Sequence, residues 1–486
     1  MLFNSYEFIF LFLPITFFIY FYLNSKRLAT ASKGFLVFAS LFFYSWWNIV
    51  YLPLILASML LNFIIGNSMT QTKEQKKISK KQLLTFGIVG NLALLGYFKY
   101  SDFFITNINL ATKSGFELLH LALPLAISFF TFQQIAYLVD SYRGETKEYD
   151  FLNYAIFVTF FPQLIAGPIV HHKEMMPQFA SKWNKVKNYR NIALGLFIFS
   201  IGLFKKVVIA DTFAVWATAG FDNATILALF EAWATSLSYT FQLYFDFSGY
   251  TDMAIGAALL FNIKLPINFN SPYKAIDIQD FWRRWHITLS RFLKDYIYIP
   301  LGGNRKGNFG TYNNLLITFL LGGLWHGAAW TFVFWGFLHG IALVLHRLWQ
   351  KIGFKLWSWL AWLITFNFIN ISWVFFRAKE WEDAVKVLGG MVSLDNVVLH
   401  PMLQSKLGFL TQYGITFAGM FENISGSKMT IAWILGTLAL VLLFKNSMQK
   451  MKSFTPNKKV AVFTAFLLSF GILSLTKVSE FLYFNF

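Results

Sequence analysis

The sequence predicts an all-α protein that crosses a membrane many times, and three features support this. Hydrophobic residues make up 56% of the 486 residues and charged residues only 13%, too few to cover a soluble surface. Phe, Trp and Tyr together make up 20% of the residues, and apolar runs of membrane-spanning length recur along the chain. The chain has no cysteine, so disulfides, thiolate nucleophiles and cysteine-bound metals are excluded. Any covalent chemistry must use His, Ser, Tyr or a carboxylate.

The excess of positive charge belongs to the loops. The net charge of +18 comes from 41 Lys and Arg residues against 23 Asp and Glu residues. In a soluble protein this excess would suggest a nucleic-acid partner. Here the basic residues gather in short loops between apolar runs, as they do in the cytoplasmic loops of membrane proteins. We therefore expect no nucleic-acid partner, and we expect these loops to contact membrane lipids or an anionic substrate.

The apolar runs predict the spans in the first half of the chain. The first run lacks the basic leader and small-residue cleavage site of a signal peptide, so we expect it to remain in the membrane. Loop 68–81 contains five lysines and one acid, which places it in the cytoplasm and the N-terminus on the extracytoplasmic side. The predicted spans lie at about 6–24, 34–48, 50–66, 82–98, 117–139, 192–210 and 226–245.

Two apolar segments do not suit a regular span. Segment 151–170 contains Pro162 and Pro168, and broken backbone at membrane depth needs protein or water around it. We therefore predict a re-entrant segment there. Segment 253–263 is too short to cross the membrane as a helix, so we predict a half-span.

Residues 264–310 mix charges with aromatic residues and predict a cytoplasmic amphipathic helix. Its apolar residues recur at steps of three and four, with Arg283, Arg284 and Arg291 mainly on the other face. The periodic apolar positions are Ile278, Phe281, Trp282, Trp285, Leu289, Phe292, Leu293 and Tyr296. We expect Pro300 to mark the end of this helix.

The remaining spans follow from the last third of the chain. Forty residues between Lys306 and Arg347 contain no Asp, Glu, Lys or Arg, which suits two spans. The basic stretch 445–459 contains no acid and should be cytoplasmic, so the C-terminal tail should emerge on the extracytoplasmic side. Further spans are predicted at about 357–376, 427–444 and 460–477.

Two histidines are the main candidates for chemistry. His326 lies in the apolar stretch LLGGLWHGAAWTF, where an ionisable side chain is a functional candidate, although a structural hydrogen bond to a neighbouring helix explains it equally well. His286 lies between two arginine clusters, and its position alone favours a solvated or packing residue. His339 and His346 are interpreted as packing or interface residues.

Several other polar residues are open to two interpretations. Arg283, Arg284 and Arg291 suit either the phosphates of coenzyme A or lipid headgroups. Asp246 and Asp252 lie beside short apolar segments, where they either cap helix ends or pair with a cation. The tail FLYFNF by itself indicates an interfacial aromatic anchor.

Four motifs together resemble the membrane-bound O-acyltransferase family. They are FFPQLIAGPIV, QLYFDFSGYTDMAIG, FWRRWHITLSRFLKDYIYIPLGGNRKG and GLWHGAAW, in that order. They are most similar to the bacterial branch that O-acetylates cell-surface polysaccharides, which includes alginate O-acetylase and peptidoglycan O-acetyltransferase. The resemblance is strongest over about 120–350.

The resemblance implies a single membrane-embedded domain over residues 1–486, built as a ring of about a dozen tilted helices. It implies that His326 and His286 are the two catalytic histidines and that the donor is cytoplasmic acetyl-CoA, for which Arg283, Arg284 and Arg291 are the candidate phosphate contacts. It also implies that Tyr483 carries the acyl group in transit to a periplasmic serine acetyltransferase-type partner. The expected location is the bacterial inner membrane, with no metal involved.

The acyl acceptor stays open at this point between peptidoglycan and an alginate-like exopolysaccharide. Two other function classes also remain. A lipid-modifying acyltransferase of the same superfamily would share His326. A transporter or flippase would explain the spans and the buried histidines, but the sequence has neither internal repeats nor paired intramembrane charges of the expected kind.

Overall fold

The computed structural model describes residues 1–71, 78–146, 150–165, 167–475 and 481–482, and this part of the chain is mostly helical. Its only strands are β1 (Val398–Leu399) and β2 (Thr416–Phe417), which pair in parallel over two residues. The all-α prediction is therefore confirmed. The α-helices, in chain order, are α1 Leu13–Ser25, α2 Ala29–Ser45, α3 Leu52–Gln71, α4 Lys80–Thr112, α5 Ile127–Tyr142, α6 Phe151–Thr159, α7 Phe161–Leu164, α8 His172–Ala180, α9 Tyr189–Phe204, α10 Asp211–Thr218, α11 Leu229–Leu260, α12 Ile278–Arg284, α13 Ile287–Leu293, α14 Gly307–His326, α15 Trp330–Ile352, α16 Ser358–Arg377, α17 Trp381–Val392, α18 Gln404–Leu407, α19 Lys428–Leu443, α20 Ser447–Lys452 and α21 Lys458–Leu473.

Within the described residues, six helical stretches are long and apolar enough to cross a membrane. They are Glu7–Ser25, Ile49–Thr70, Lys80–Thr112, Tyr189–Asn223, Trp330–Ile352 and Ser358–Arg377. The chain is therefore a multi-pass membrane protein, as predicted. The ring arrangement, the total of about a dozen spans and the sidedness of the termini stay predictions.

The chain divides into two compact units. The first unit contains residues 1–204 and 250–267 together with the described residues from 453 onward. The second contains residues 205–249 and 268–452. Both histidine candidates lie in the second unit. The prediction of a single domain stays a prediction.

The predicted span 117–139 is wrong at its start, because α5 begins only at Ile127. The preceding residues form a loop that Asp102, on α4, holds in place. The carboxylate of Asp102 accepts hydrogen bonds from the backbone N–H groups of Leu119 and His120 at 2.7 and 3.0 Å. These bonds satisfy two backbone N–H groups, which therefore need no partners within a helix.

The backbone of segment 151–170 is broken, as predicted. Helix α6 ends at Thr159, and Pro162 occupies the first turn of the short α7, where the missing N–H of proline costs little. The carbonyl of Phe157 accepts hydrogen bonds from the side-chain amides of Gln133 and Gln163, both at 2.6 Å. Protein side chains thus satisfy the carbonyl near the break, whereas the re-entrant path stays a prediction.

The predictions of a span at 226–245 and a half-span at 253–263 are wrong, because both belong to one 32-residue helix, α11. The polar residues between them do not interrupt it. Asp246 is buried, and its carboxylate lies 2.6 Å from the Nζ atom of Lys206. A buried carboxylate with a cation beside it is compatible with a helix interior, so its charge does not mark a helix end.

The prediction of one continuous amphipathic helix is also wrong. Two seven-residue helices, α12 and α13, take its place, and Trp285 and His286 separate them. The periodic apolar side chains Phe281, Trp282 and Trp285 are buried in protein. Helices α14 and α15, by contrast, fill the charge-free stretch as predicted, and α16, α19 and α21 match the later predicted spans closely.

Candidate active site

His286 lies at the break between α12 and α13. Its backbone has φ of 42° and ψ of 54°, in the left-handed region that few non-glycine residues adopt. The neighbouring segment holds this turn, because the N–H of Ile287 donates to the carbonyl of Asn268 at 3.0 Å. The side chain of His286 is fully buried, so the interpretation as a solvated histidine is wrong.

The hydrogen bonds around Asn268 determine which nitrogen of His286 carries the proton. The side-chain oxygen of Asn268 accepts from the N–H and the hydroxyl of Thr288, at 3.2 and 3.0 Å. A backbone N–H only donates, so the facing atom is the amide oxygen rather than the amide nitrogen. His286 Nδ1 lies 3.1 Å from this oxygen and therefore donates a hydrogen to it. The lone pair of the neutral ring is then on Nε2.

The ring of His286 is held in its neutral form. His286 lies outside the six candidate spans, and burial lowers its pKa to about 3. The ring of Phe247 on α11 packs edge-on against it, with centroids 4.7 Å apart. A neutral imidazole with a fixed tautomer offers Nε2 as a hydrogen-bond acceptor, whereas the lowered pKa makes this ring a weak proton acceptor.

His326 is the last residue of α14 and is 4% exposed. It therefore lies at the junction of α14 and α15, the two helices that fill the charge-free stretch. Aromatic rings surround it: the centroids of Trp325, Trp335 and Phe376 lie 4.8, 5.2 and 5.0 Å from its own. These contacts hold the imidazole in an apolar enclosure.

A close approach of α14 and α15 forms this enclosure. A Cβ atom on Gly323 would lie 2.3 Å from the carbonyl oxygen of Phe332 and 3.1 Å from the Cα of Gly336. Only glycine allows such an approach of the two backbones. The flanking glycines noted in the sequence therefore serve the packing around His326.

The structure brings His286 and His326 into one cluster. The ring of Trp325 lies next to both, with its centroid 6.4 Å from that of His286 and 4.8 Å from that of His326. The two predicted catalytic residues, though far apart in sequence, therefore share a buried aromatic site in the second unit.

His339 has a structural role, in agreement with its interpretation as a packing residue. Its Nδ1 accepts a hydrogen bond from the indole N–H of Trp282 at 3.2 Å, so Nε2 carries the proton. Nε2 then donates to the hydroxyl of Ser372 at 3.1 Å. Both ring nitrogens are thus used in packing α12, α15 and α16 together.

A cavity of about 260 Å³ lies between α12, α13, α14 and α15. Its lining carries three permanent positive charges, on Arg283, Lys294 and Arg347, and no acidic residue. The lining also includes Trp282 and Tyr298, and the buried hydroxyl of Tyr298 makes no hydrogen bond to the described residues. The cavity therefore suits a ligand that combines anionic groups with an apolar part.

The three predicted donor-binding arginines have different surroundings. Arg283 lines the cavity. The Nε atom of Arg284 lies 2.9 Å from both carboxylate oxygens of Asp280, one turn earlier on α12, so this guanidinium is already engaged by an acid. Arg291 is half-buried on α13 and is not among the residues that line the cavity.

Tyr483 lies outside the described residues. Phe481, two residues before it, is 1% exposed and stacks on Tyr250 of α11, with ring centroids 4.4 Å apart and planes 22° apart. Tyr250 also stacks on Phe3, at 4.7 Å. Phe481 is therefore held by an aromatic stack within the first unit.

Sequence reasoning missed three residues of the site. Asn268 is one of several asparagines in its region, and nothing in the local pattern indicates that its side chain meets His286. Arg347 was visible as a charge at the end of an apolar stretch, and Lys294 as one of several charges in the mixed region 264–310. Among the described residues no group of three or more His, Asp or Glu side chains is arranged to hold a metal ion. The absence of a metal stays a prediction.

The family follows from comparisons with known proteins. Residues 76–379, more than half of the chain, match the sequence profile of the MBOAT, membrane-bound O-acyltransferase family. The chain is 53% identical to the peptidoglycan O-acetyltransferase of Helicobacter pylori, over 100% of this chain and 98% of that protein. It is 41% identical to a probable alginate O-acetylase of Pseudomonas putida, over 84% and 83% of the two chains. It is 27% identical to the teichoic acid D-alanyltransferase of Bacillus subtilis, over 53% and 69%. The chain therefore belongs to the membrane-bound O-acyltransferase family and is an O-acyltransferase.

Proposed function

We propose that the chain transfers acetyl groups from cytoplasmic acetyl-CoA to hydroxyl groups of peptidoglycan on the other side of the bacterial inner membrane. The observation that carries this proposal is the 53% identity to a peptidoglycan O-acetyltransferase over the full length of both chains. The lower identity and shorter coverage of the alginate O-acetylases make an alginate-like polymer the second choice of acceptor.

The donor binds in the cavity lined by Arg283, Lys294 and Arg347. Three cations without an acid complement the phosphates of coenzyme A, and arginine can bind a phosphate through two parallel hydrogen bonds. Trp282 and Phe319 offer apolar surface for the rest of the molecule. Arg284, paired with Asp280, contributes less to this site. Arg291 contributes through the position of α13.

The reaction is an acyl transfer from a thioester to a hydroxyl. The hydroxyl oxygen attacks the thioester carbonyl, a C–O bond forms and the C–S bond breaks. The proton of the hydroxyl passes to His326 and from there to the departing thiolate of coenzyme A. A base is needed because a tyrosine hydroxyl has a pKa of about 10 and is scarcely ionised at neutral pH. His286, with its proton fixed on Nδ1, presents Nε2 as a second acceptor in the same cluster.

Tyr483 is the first acceptor in this proposal. The acetyl ester of its phenol is an activated acyl donor, so a periplasmic serine acetyltransferase-type partner takes the acetyl group from it and passes it to the polymer. The burial of Phe481 supports a tail that is docked on the protein and not free in solution. A tyrosine relay also explains how an acyl group crosses the membrane while coenzyme A stays in the cytoplasm.

Substitution of Tyr483 by Phe tests the relay, because it removes one oxygen and keeps the ring. Tyr413, an exposed tyrosine in the loop before β2, provides the matched control as Tyr413→Phe. In cells that lack the wild-type gene, Tyr483→Phe should abolish O-acetylation of muropeptides measured by mass spectrometry, at normal protein level. Tyr413→Phe should retain it. Full acetylation in Tyr483→Phe would rule out the relay, and acetylation of an exopolysaccharide in place of peptidoglycan would change the assigned acceptor.

A further inference from the structure

An open groove lies on the first unit. It has a volume of about 770 Å³ and is formed by the last turns of α1 and the segment 185–189 that leads into α9. Its walls include Phe18, Ile19 and Tyr22 of α1 on one side and Val186 and Tyr189 on the other. Phe18 and Tyr22 are each 61% exposed, so the walls present aromatic surface to whatever surrounds the protein.

The charged residues of this groove are basic. Lys185 and Lys187 belong to its lining, and within the described residues neither forms an ion pair with a carboxylate. The stretch 181–190 contains four Lys and Arg residues and no acid. The Nζ atom of Lys187 lies 5.7 Å from the ring centroid of Phe18, within range of a cation–π contact. The groove therefore combines apolar walls with uncompensated positive charge.

Hydrogen bonds hold the basic side of the groove in place. Asn262, which follows α11, donates from its side-chain nitrogen to the carbonyls of Asn184 and Val186 at 3.0 and 2.8 Å. Its side-chain oxygen accepts from Asn191 at 3.0 Å. These bonds fix the backbone on both sides of Lys185, so the lysines are presented from an ordered segment. A site arranged in advance loses less entropy when a ligand binds.

The position of the groove along α1 indicates which part of the membrane surrounds it. Glu7–Ser25 is one of the candidate membrane spans, and the groove lies at its C-terminal end. Exposed Trp183 and Tyr189 flank the lysines, and Trp, Tyr and Lys side chains are enriched where a span meets the lipid headgroups. We propose that this groove binds one anionic phospholipid, with its phosphate between Lys185 and Lys187 and an acyl chain along Phe18 and Tyr22.

The test measures the binding of phosphatidylglycerol to the full chain in a neutral detergent by native mass spectrometry, with phosphatidylcholine as the zwitterionic comparison. The double substitution Lys185→Gln and Lys187→Gln removes both charges at the groove. The substitutions Lys355→Gln and Lys452→Gln remove two exposed charges elsewhere and are the matched control. Asn262→Ala is a second variant, which keeps both charges and releases the loop.

We expect the wild type to retain one phosphatidylglycerol and the Lys185/Lys187 variant to bind it roughly 30-fold more weakly, as for two lysines near an anionic lipid surface. The control variant should bind within about twofold of the wild type, and Asn262→Ala should lie between the two. Size-exclusion profiles of the two lysine double variants should match that of the wild type, because the substituted lysines lie at the surface. Equal retention of phosphatidylcholine would overturn the proposal, as would an unchanged affinity in the Lys185/Lys187 variant.

Discussion

Asn268 should control catalysis without itself contacting the substrate. Its side-chain oxygen receives hydrogen bonds from His286 Nδ1 at 3.1 Å and from the N–H and hydroxyl of Thr288. Asn268→Ala removes this acceptor. The ring of His286 then loses the bond that keeps its proton on Nδ1 and its lone pair on Nε2, so part of the population adopts the unproductive tautomer.

The size of the effect follows from these contacts. A hydrogen bond of this kind contributes about 1 kcal/mol net, which corresponds to roughly fivefold in the tautomer population. We therefore expect the rate of acetyl transfer to fall by up to roughly fivefold in Asn268→Ala. The buried N–H of Thr288 also loses its acceptor, which should lower the free energy of unfolding by about 1–3 kcal/mol.

The pH dependence of the rate of acetyl transfer separates the effect on the His286 tautomer from the effect on stability. Asn268→Asp keeps the oxygen but adds a negative charge next to His286, which favours the protonated ring and raises its pKa. The acid limb of the rate profile should therefore move to higher pH in Asn268→Asp. Asn367→Ala, on α16 and outside the cluster, is the control. If Asn268→Ala turns over acetyl-CoA like the wild type, or if Asn268→Asp leaves the pH profile unmoved, the assigned tautomer is wrong.

Three further changes have expected outcomes. Lys206→Met should lower the free energy of unfolding by about 3–5 kcal/mol because it removes the cation beside the buried Asp246. Lys206→Met combined with Asp246→Leu should recover part of the loss in detergent melts, since Lys206 also pairs with Asp211 at 3.0 Å. Arg347→Gln should raise the KM for acetyl-CoA by roughly tenfold with little change in kcat, whereas Lys355→Gln should change neither. Acidification below about pH 6.5 should lower the free energy of unfolding by up to about 1.4 kcal/mol per pH unit through His286 alone. The reason is that His286 binds a proton in the unfolded chain but not when its ring is buried. A melting temperature independent of pH between 6.5 and 5 would contradict this.

Helices α14 and α15 were predictable from the sequence because their outer boundaries are marked by local chemistry. Lys306 and Arg347 bracket a charge-free stretch, and the structure fills it with α14 and α15. The break near Pro162 was predictable for the same reason, since proline removes a backbone donor wherever it occurs. Composition and hydropathy were sufficient to predict that the chain is an all-α membrane protein.

The errors occurred where the deciding partner is distant in sequence. Asp246 resembled the end of a span because the sequence does not show that Lys206 lies beside it. The stretch containing His286 resembled one amphipathic helix because its apolar period continues through the break, whereas Asn268 holds the left-handed turn from another segment. The two candidate histidines could therefore be named from the sequence, but the residue that orients one of them could not, and the catalytic roles of the histidines stay predictions.

The most direct test of the account is acetyl transfer by His326→Ala. This variant should reduce acetylation of the polymer and release of coenzyme A by roughly 10²- to 10⁴-fold, as expected for loss of a general base, while the protein remains inserted in the membrane at its normal level. His400→Ala, at a surface loop, is the matched control and should behave like the wild type. Wild-type acetylation in His326→Ala would contradict the assignment of this histidine as the base.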